Sequence, residues 1–185
     1  MHNKFTGMFE KALEFALHKH KGQYRKSTHI PYYRHPINVA RNIEEFKKSK
    51  NLELLMTAAL LHDTVEDCVN VRLEDIARKF GYMVASLVAE LTSDEKEIKK
   101  IGKTAYLKTK MTKLSSYGLV IKLSDRLDNV RSLKDTTQAF QKKYIKETSE
   151  ILDHLQSGGR KLTQTHRKLI DKIRSTLADQ KPSKE

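Results

Sequence analysis

The sequence predicts an all-α fold, one helical domain of roughly eight to ten helices. Three observations carry this. Seven Gly and three Pro among 185 residues are too few for a turn-rich β protein. Apolar residues recur at i, i+3 and i+4 through most of the chain. No alternating strand pair and no internal repeat interrupts that period. The length fits one domain over 1–180, able to bury one substantial core, with a disordered tail at 181–185.

Met8, Phe9, Ala12, Leu13, Ala16, Leu17 and His20 keep helical spacing, so a first helix spans about 8 to 20. The next stretch, from Lys21 to Pro36, has no helical period but holds two prolines and four basic residues besides its histidines. A loop of this length in a compact domain is usually functional. Tyr24, Tyr32 and Tyr33 offer either stacking surfaces or a cover for the core. Pro36 suits the first position of a second helix and predicts an extended His35 just outside it. Ile37, Ala40 and Ile43 then face inward, with Phe46 as a further candidate.

A third helix begins near Leu52 and presents Leu52, Leu55, Ala58, Ala59 and Leu61 to the core. It leads without a Gly or Pro break into His62-Asp63-Thr64-Val65-Glu66-Asp67-Cys68. On a continuous helix His62 and Glu66 share one stripe, and Asp63 and Asp67 the next. Ionisable groups beside a core are costly unless they are paired or hold a metal. The plain alternative is a helix end whose acids drift into solvent. Leu73, Ile76, Ala77 and Phe80 predict a short helix stopped by Gly81, and Val84, Leu87, Val88 and Leu91 predict another.

Thr92 to Lys103 is dense in charge and reads as an exposed, mobile connection. Tyr106, Leu107, Met111 and Leu114 give a helix, and the apolar run from Leu119 gives a second one that turns polar at Asp125, Arg126, Asp128, Asn129 and Arg131. Phe140, Tyr144, Ile145, Thr148, Ile151, Leu152 and Leu155 share one face of a helix over about 137 to 156. Ser157-Gly158-Gly159 breaks it, and Leu162, Leu169, Ile173 and Leu177 mark the last helix.

Composition narrows the function. No run of about 18 apolar residues is present to cross a membrane, and the start carries no secretory apolar region. The single cysteine, Cys68, excludes an internal disulfide framework and fits a cytoplasmic setting; it reads as a small core residue. A net charge of +13 draws polyanions, either nucleic acid or a small molecule with several phosphates. Neither a basic stripe with aromatics nor a nucleic-acid reading motif is present, so nucleic acid is the less favoured partner. His35, His62, Asp63 and Asp125 together make an N₂O₂ donor set without thiolate, suited to a first-row divalent ion. Singly, His35 reads as a loop-packing histidine and Asp125 as the ion-pair partner of Arg126.

The ordered set His35-Pro36, His62-Asp63 with Glu66-Asp67, and Asp125-Arg126-Leu127-Asp128-Asn129 resembles the HD superfamily of metal-dependent phosphohydrolases. More narrowly it is similar to the hydrolase domain of RelA/SpoT-type alarmone enzymes. That match rests on Gly22-Gln23-Tyr24-Arg25-Lys26-Ser27 before Pro31-Tyr32, on Ala58 through Asp67, on Phe80-Gly81, and on Ile121-Lys122-Leu123-Ser124-Asp125-Arg126. The signatures run over roughly residues 8 to 155. With no synthetase segment after them, the resemblance is to the small stand-alone alarmone hydrolases.

The resemblance implies an HD-domain helical bundle that binds Mn²⁺ through His35, His62, Asp63 and Asp125. It implies removal of the 3′-pyrophosphate from guanosine tetra- or pentaphosphate to give GDP or GTP and pyrophosphate. Glu66 matches the residue that activates water, and Asp67 its acidic companion. Arg25, Lys26 and Ser27 match the loop around base and phosphates, and Asn129 and Ser132 match positions near the ribose and 3′-phosphate. Two departures stand out. The loop Ser27-Thr28-His29-Ile30-Pro31 is one residue longer than in some bifunctional members, and Asp128 stands where many have His. Alternatives are the same site acting on ppApp or on the 2′-phosphate of NADPH, a general HD nucleotidase, and a non-catalytic nucleotide- or nucleic-acid-binding module. The partner expected is a small nucleotide polyphosphate, with homo-oligomerisation left open.

Overall fold

The computed structural model describes residues 7–26, 28–158 and 160–180, and within them the fold is all-helical. The helices are α1 (Met8–Lys19), α2 (Arg34–Phe46), α3 (Leu52–Leu61), α4 (Thr64–Asp67), α5 (Leu73–Phe80), α6 (Tyr82–Leu91), α7 (Glu95–Ile101), α8 (Lys103–Lys113), α9 (Ser116–Arg131), α10 (Gln138–Ser157) and α11 (Gln164–Asp179). Nine of them have eight residues or more, within the expected eight to ten. A 3₁₀ turn, Leu133–Asp135, follows α9. The described residues form no strand; Tyr24 and Pro31 make an isolated antiparallel bridge across the loop. The expected tail at 181–185 lies outside the described residues. So does Gly159, part of the expected helix break; Gly158 follows directly on α10.

The described chain divides into two compact units. The first holds α1 to α6 and ends at Ser93; the second holds α7 to α11, together with Lys26 and Thr28. In the first unit α3 is the hub, packed against α1, α2 and α6. Leu55 through Leu61 are all buried, so this helix is enclosed around its whole circumference rather than on one stripe. Each fully buried Leu adds about 1.5–3 kcal/mol of transfer free energy. Phe15 and Phe80 meet edge to face at 5.6 Å and tie α1 to α5. Gly81 sits at φ +86°, so a single residue ends α5 and begins α6 in a conformation that favours glycine.

Two expectations in this unit are corrected. His35 is not extended ahead of α2: the helix starts at Arg34, and the His35 N–H donates to the Tyr32 carbonyl at 2.8 Å. Pro36 falls in the first turn, where an N–H has no intrahelical partner, so its missing donor costs nothing. The helix through His62 is also not continuous. α3 stops at Leu61 and α4 starts at Thr64.

In the second unit α9 packs on α11, and α10 packs on α8 and α11. Side-chain caps fix the helix starts. Ser115 accepts from Gly118 N–H, Thr137 from Phe140 N–H, and Thr163 from His166 N–H. Leu162 is buried just ahead of this last cap, outside the helix it was assigned to. The charged stretch read as an exposed, mobile connection contains α7. Asp94 caps it by accepting from the Lys96 and Glu97 N–H groups, and Glu95, Glu97, Lys99 and Lys100 are arranged to suit the helix dipole. No residue of α7 is buried, so the expected exposure holds. Phe140, expected on the inward face of α10, is 45 % exposed and stacks on Tyr144 at 5.7 Å. Among the described residues no helix is long and apolar enough to cross a membrane.

Candidate metal centre

The end of α3 explains both the break in the helix and the first site residue. The last carbonyls of an α-helix lack backbone partners. Here side chains supply them: the Thr64 hydroxyl donates to Leu61 O at 2.7 Å, and His62 Nδ1 lies 2.8 Å from Ala59 O. A carbonyl only accepts, so His62 Nδ1 carries a proton and Nε2 is the nitrogen left facing outward. This is the tautomer a metal-bound histidine takes when its second nitrogen is held by a backbone carbonyl.

His62 Nε2 faces Asp63 Oδ2 at 3.1 Å, and His35 Nε2 approaches the same oxygen at 3.6 Å. The ligand atoms of His35, His62 and Asp63 all lie within 4.8 Å of one another. Both histidines are buried and Asp63 is nearly so. A neutral imidazole nitrogen and a carboxylate oxygen are both electron-pair donors, and a cation between them satisfies both. Two imidazoles and one carboxylate, with no sulfur, suit a first-row divalent ion. Geometry and chemistry therefore fit a divalent metal.

The other expected site residues have their own surroundings. Glu66 is exposed, and its Oε1 accepts from the Ser93 backbone N–H at the end of α6. Asp67 offers its backbone carbonyl to Gln23 Nε2 at 2.7 Å. Its carboxyl is held above the usual carboxylate range, first by lost hydration and then by the Asp63 charge, against the opposing Tyr32 hydroxyl, His20 and His62. Asp125 is buried on α9 in the second unit, with Lys122 Nζ 2.8 Å from Oδ2 and Asn129 Nδ2 donating to Oδ1 at 2.6 Å. The Ser132 hydroxyl donates to Asp128 O at 3.1 Å. The Arg25 backbone N–H pairs with Ile30 O at 2.9 Å, and Lys26 is exposed. Ser27 lies outside the described residues.

Several contacts of these residues go beyond the expected set. Ser93 holds Glu66, Lys122 holds Asp125, and the Tyr32 hydroxyl donates to Asp63 Oδ2 at 2.7 Å. For Lys122 the i,i+3 spacing to Asp125 was a usable signal. Ser93 acts through its backbone, which no side-chain pattern announces.

A family model described as HD domain matches residues 12–161. The chain belongs to the HD domain family. Among HD proteins it is 32 % identical over 172 residues to the mouse guanosine-3′,5′-bis(diphosphate) 3′-pyrophosphohydrolase MESH1, covering 90 % of this chain and 94 % of that one. It is 38 % identical over 154 residues to the Aquifex aeolicus guanosine-3′,5′-bis(diphosphate) 3′-pyrophosphohydrolase, covering 77 % of this chain but only 20 % of that longer protein. A solved structure of a metazoan ortholog of SpoT, a protein that hydrolyzes ppGpp, superposes with a TM-score of 0.75 at 32 % identity, covering 92 % of this chain and 96 % of that one.

Proposed function

We propose that this HD domain hydrolyses guanosine tetra- and pentaphosphate at the 3′ position, releasing pyrophosphate and leaving GDP or GTP, with Mn²⁺ as its metal and the cytoplasm as its setting. The observation that carries the reading is the His35–His62–Asp63 cluster, in which His62 is locked with Nε2 toward Asp63. The similarity to MESH1 over nearly the whole of both chains supports the choice of substrate.

When bound, a divalent cation supplies Lewis acidity at a phosphoryl oxygen and makes water a competent nucleophile near neutral pH. His35, His62 and Asp63 would hold it, and the family resemblance assigns Asp125 as the fourth ligand. Glu66 takes the proton of the attacking water, and the Ser93 N–H fixes one oxygen of that carboxylate. Asp67 is its acidic companion. The water oxygen bonds to phosphorus, the bond from phosphorus to the 3′-oxygen breaks, and the proton that Glu66 took passes to that oxygen. Arg25 and Lys26 offset substrate charge, with Ser27, Asn129 and Ser132 as polar contacts.

The test is hydrolysis of ppGpp, pppGpp, ppApp and NADPH by the Mn²⁺-loaded protein, with products resolved by anion exchange. Release of GDP and pyrophosphate from ppGpp, lost in Glu66→Gln, is the expected result. Turnover of ppApp or NADPH alone moves the same site to another nucleotide. No turnover of any of the four overturns the reading.

A further inference from the structure

We propose that Tyr32 is a positioning residue that holds Asp63 in place as a metal ligand. The proposal rests on the metal reading above and adds a residue to it. The Tyr32 hydroxyl donates to Asp63 Oδ2 at 2.7 Å, the same oxygen that His62 Nε2 and His35 Nε2 face at 3.1 and 3.6 Å. One carboxylate oxygen is thus the meeting point of three side chains. A carboxylate oxygen has two lone pairs. The hydroxyl proton takes one, and the other remains directed at the imidazoles.

The Tyr32 O–H thus fixes Asp63 Oδ2 at the point that both imidazoles face, whether a proton or a cation lies between them. The same hydroxyl also faces the Asp67 carboxyl, so its single proton lies between two acids.

Tyr32 is itself rigidly held, as a positioning group must be. Its N–H donates to Gln23 O at 2.9 Å, and its carbonyl accepts from His35 N–H at 2.8 Å. Its ring lies between His20, at 4.9 Å, and His35, at 5.7 Å. His20 is fully buried, with Nδ1 2.7 Å from Gln23 Oε1. Its Nε2 has no hydrogen-bond partner among the described residues. The His20 ring serves as a wall behind the tyrosine.

The test uses the full chain stripped of metal, titrated with Mn²⁺ while free Mn²⁺ is followed by electron paramagnetic resonance. Tyr32→Phe keeps the ring and removes only the hydroxyl. It is expected to weaken Mn²⁺ binding by about 10- to 100-fold, the usual effect of losing a partner of a metal ligand. The melting temperature of the metal-free variant should match wild type, and saturating Mn²⁺ should restore kcat. A Kd within twofold of wild type overturns the proposal, as does a weaker Kd accompanied by an equally destabilised metal-free fold. Asp63→Ala sets the zero of the titration. If wild type binds no more Mn²⁺ than Asp63→Ala, the metal reading fails and Tyr32 with it. If wild type binds and Tyr32→Phe equals it, only the Tyr32 assignment fails.

Discussion

Arg126 and Glu147 form an ion pair closed off from water. Both terminal nitrogens of the guanidinium reach Glu147 Oε1 at 3.2 Å, and the side chains are 4 % and 7 % exposed. Nη1 also donates to Thr148 Oγ1 at 2.8 Å, and the guanidinium lies 5.0 Å from the centre of the Tyr144 ring. Burial pulls the Arg126 pKa down, but Tyr144, Glu147 and Asp125 outweigh it, and the group stays charged. Because Arg126 follows Asp125 on α9, the pair fixes the rotation of the helix that presents Asp125.

Breaking this pair on one side should therefore be severe. Arg126→Met leaves a buried carboxylate without its counter-charge and should cost about 3–5 kcal/mol in urea unfolding. The double variant Arg126→Met/Glu147→Leu should recover most of that loss. Equal destabilisation in the single and double variants would mean the pair is not what holds α9 to α10.

Glu66 is oriented by a backbone donor, which gives an unusual prediction. Glu66→Gln should lower kcat by roughly 10²- to 10⁴-fold, the range for a lost general base, and leave Mn²⁺ affinity unchanged. Ser93→Pro removes the N–H that Oε1 accepts, and Thr92, at φ −57° and ψ 128°, already has the backbone a following proline requires. Its kcat should fall between wild type and Glu66→Gln. Ser93→Ala, which keeps the N–H, should turn over like wild type.

Metal removal should register in stability as well as activity. The cluster exists only in the folded chain, so Mn²⁺ at about 100 times its Kd should add roughly 2.7 kcal/mol, and a chelator should take it away. His62→Ala and Asp63→Ala should both abolish that Mn²⁺-dependent rise in melting temperature. A rise that persists in both would place the ion elsewhere.

Burial, with the nearby Asp67 charge, pushes the Cys68 thiol up to about 11. Its Sγ lies 3.5 Å from His20 Nδ1 in the interior. Alkylation by iodoacetamide at pH 8 proceeds through the thiolate, so the folded chain should react about 100-fold more slowly than the urea-unfolded chain. Similar rates in the two states would show that this interior opens readily.

The helices that were legible in the sequence are those whose apolar spacing decides their own fate. α3, α5, α6, α9 and α11 all lie where Leu, Ile and Val repeat at helical intervals, and the residues assigned to α6 are all buried. Three of the misreadings share one physical cause: a local rule overridden by a hydrogen bond to something nearby. His35 joins α2 because its N–H finds Tyr32 O, and α3 stops because His62 and Thr64 side chains take its last carbonyls. α7 forms on the Asp94 cap rather than on a buried face. At the site, residue types that hold metals stand out by chemistry, so His35, His62 and Asp63 were legible. Tyr32 was not, because a tyrosine before a histidine reads equally well as core cover.

His62 takes its orientation from Ala59, one turn back on the most deeply buried helix of its unit. The amide protons of that helix should be among the slowest to exchange with solvent, since releasing them requires the surrounding helices to part. The anchor of the His62 ring is therefore a carbonyl of the buried framework and not of a surface loop.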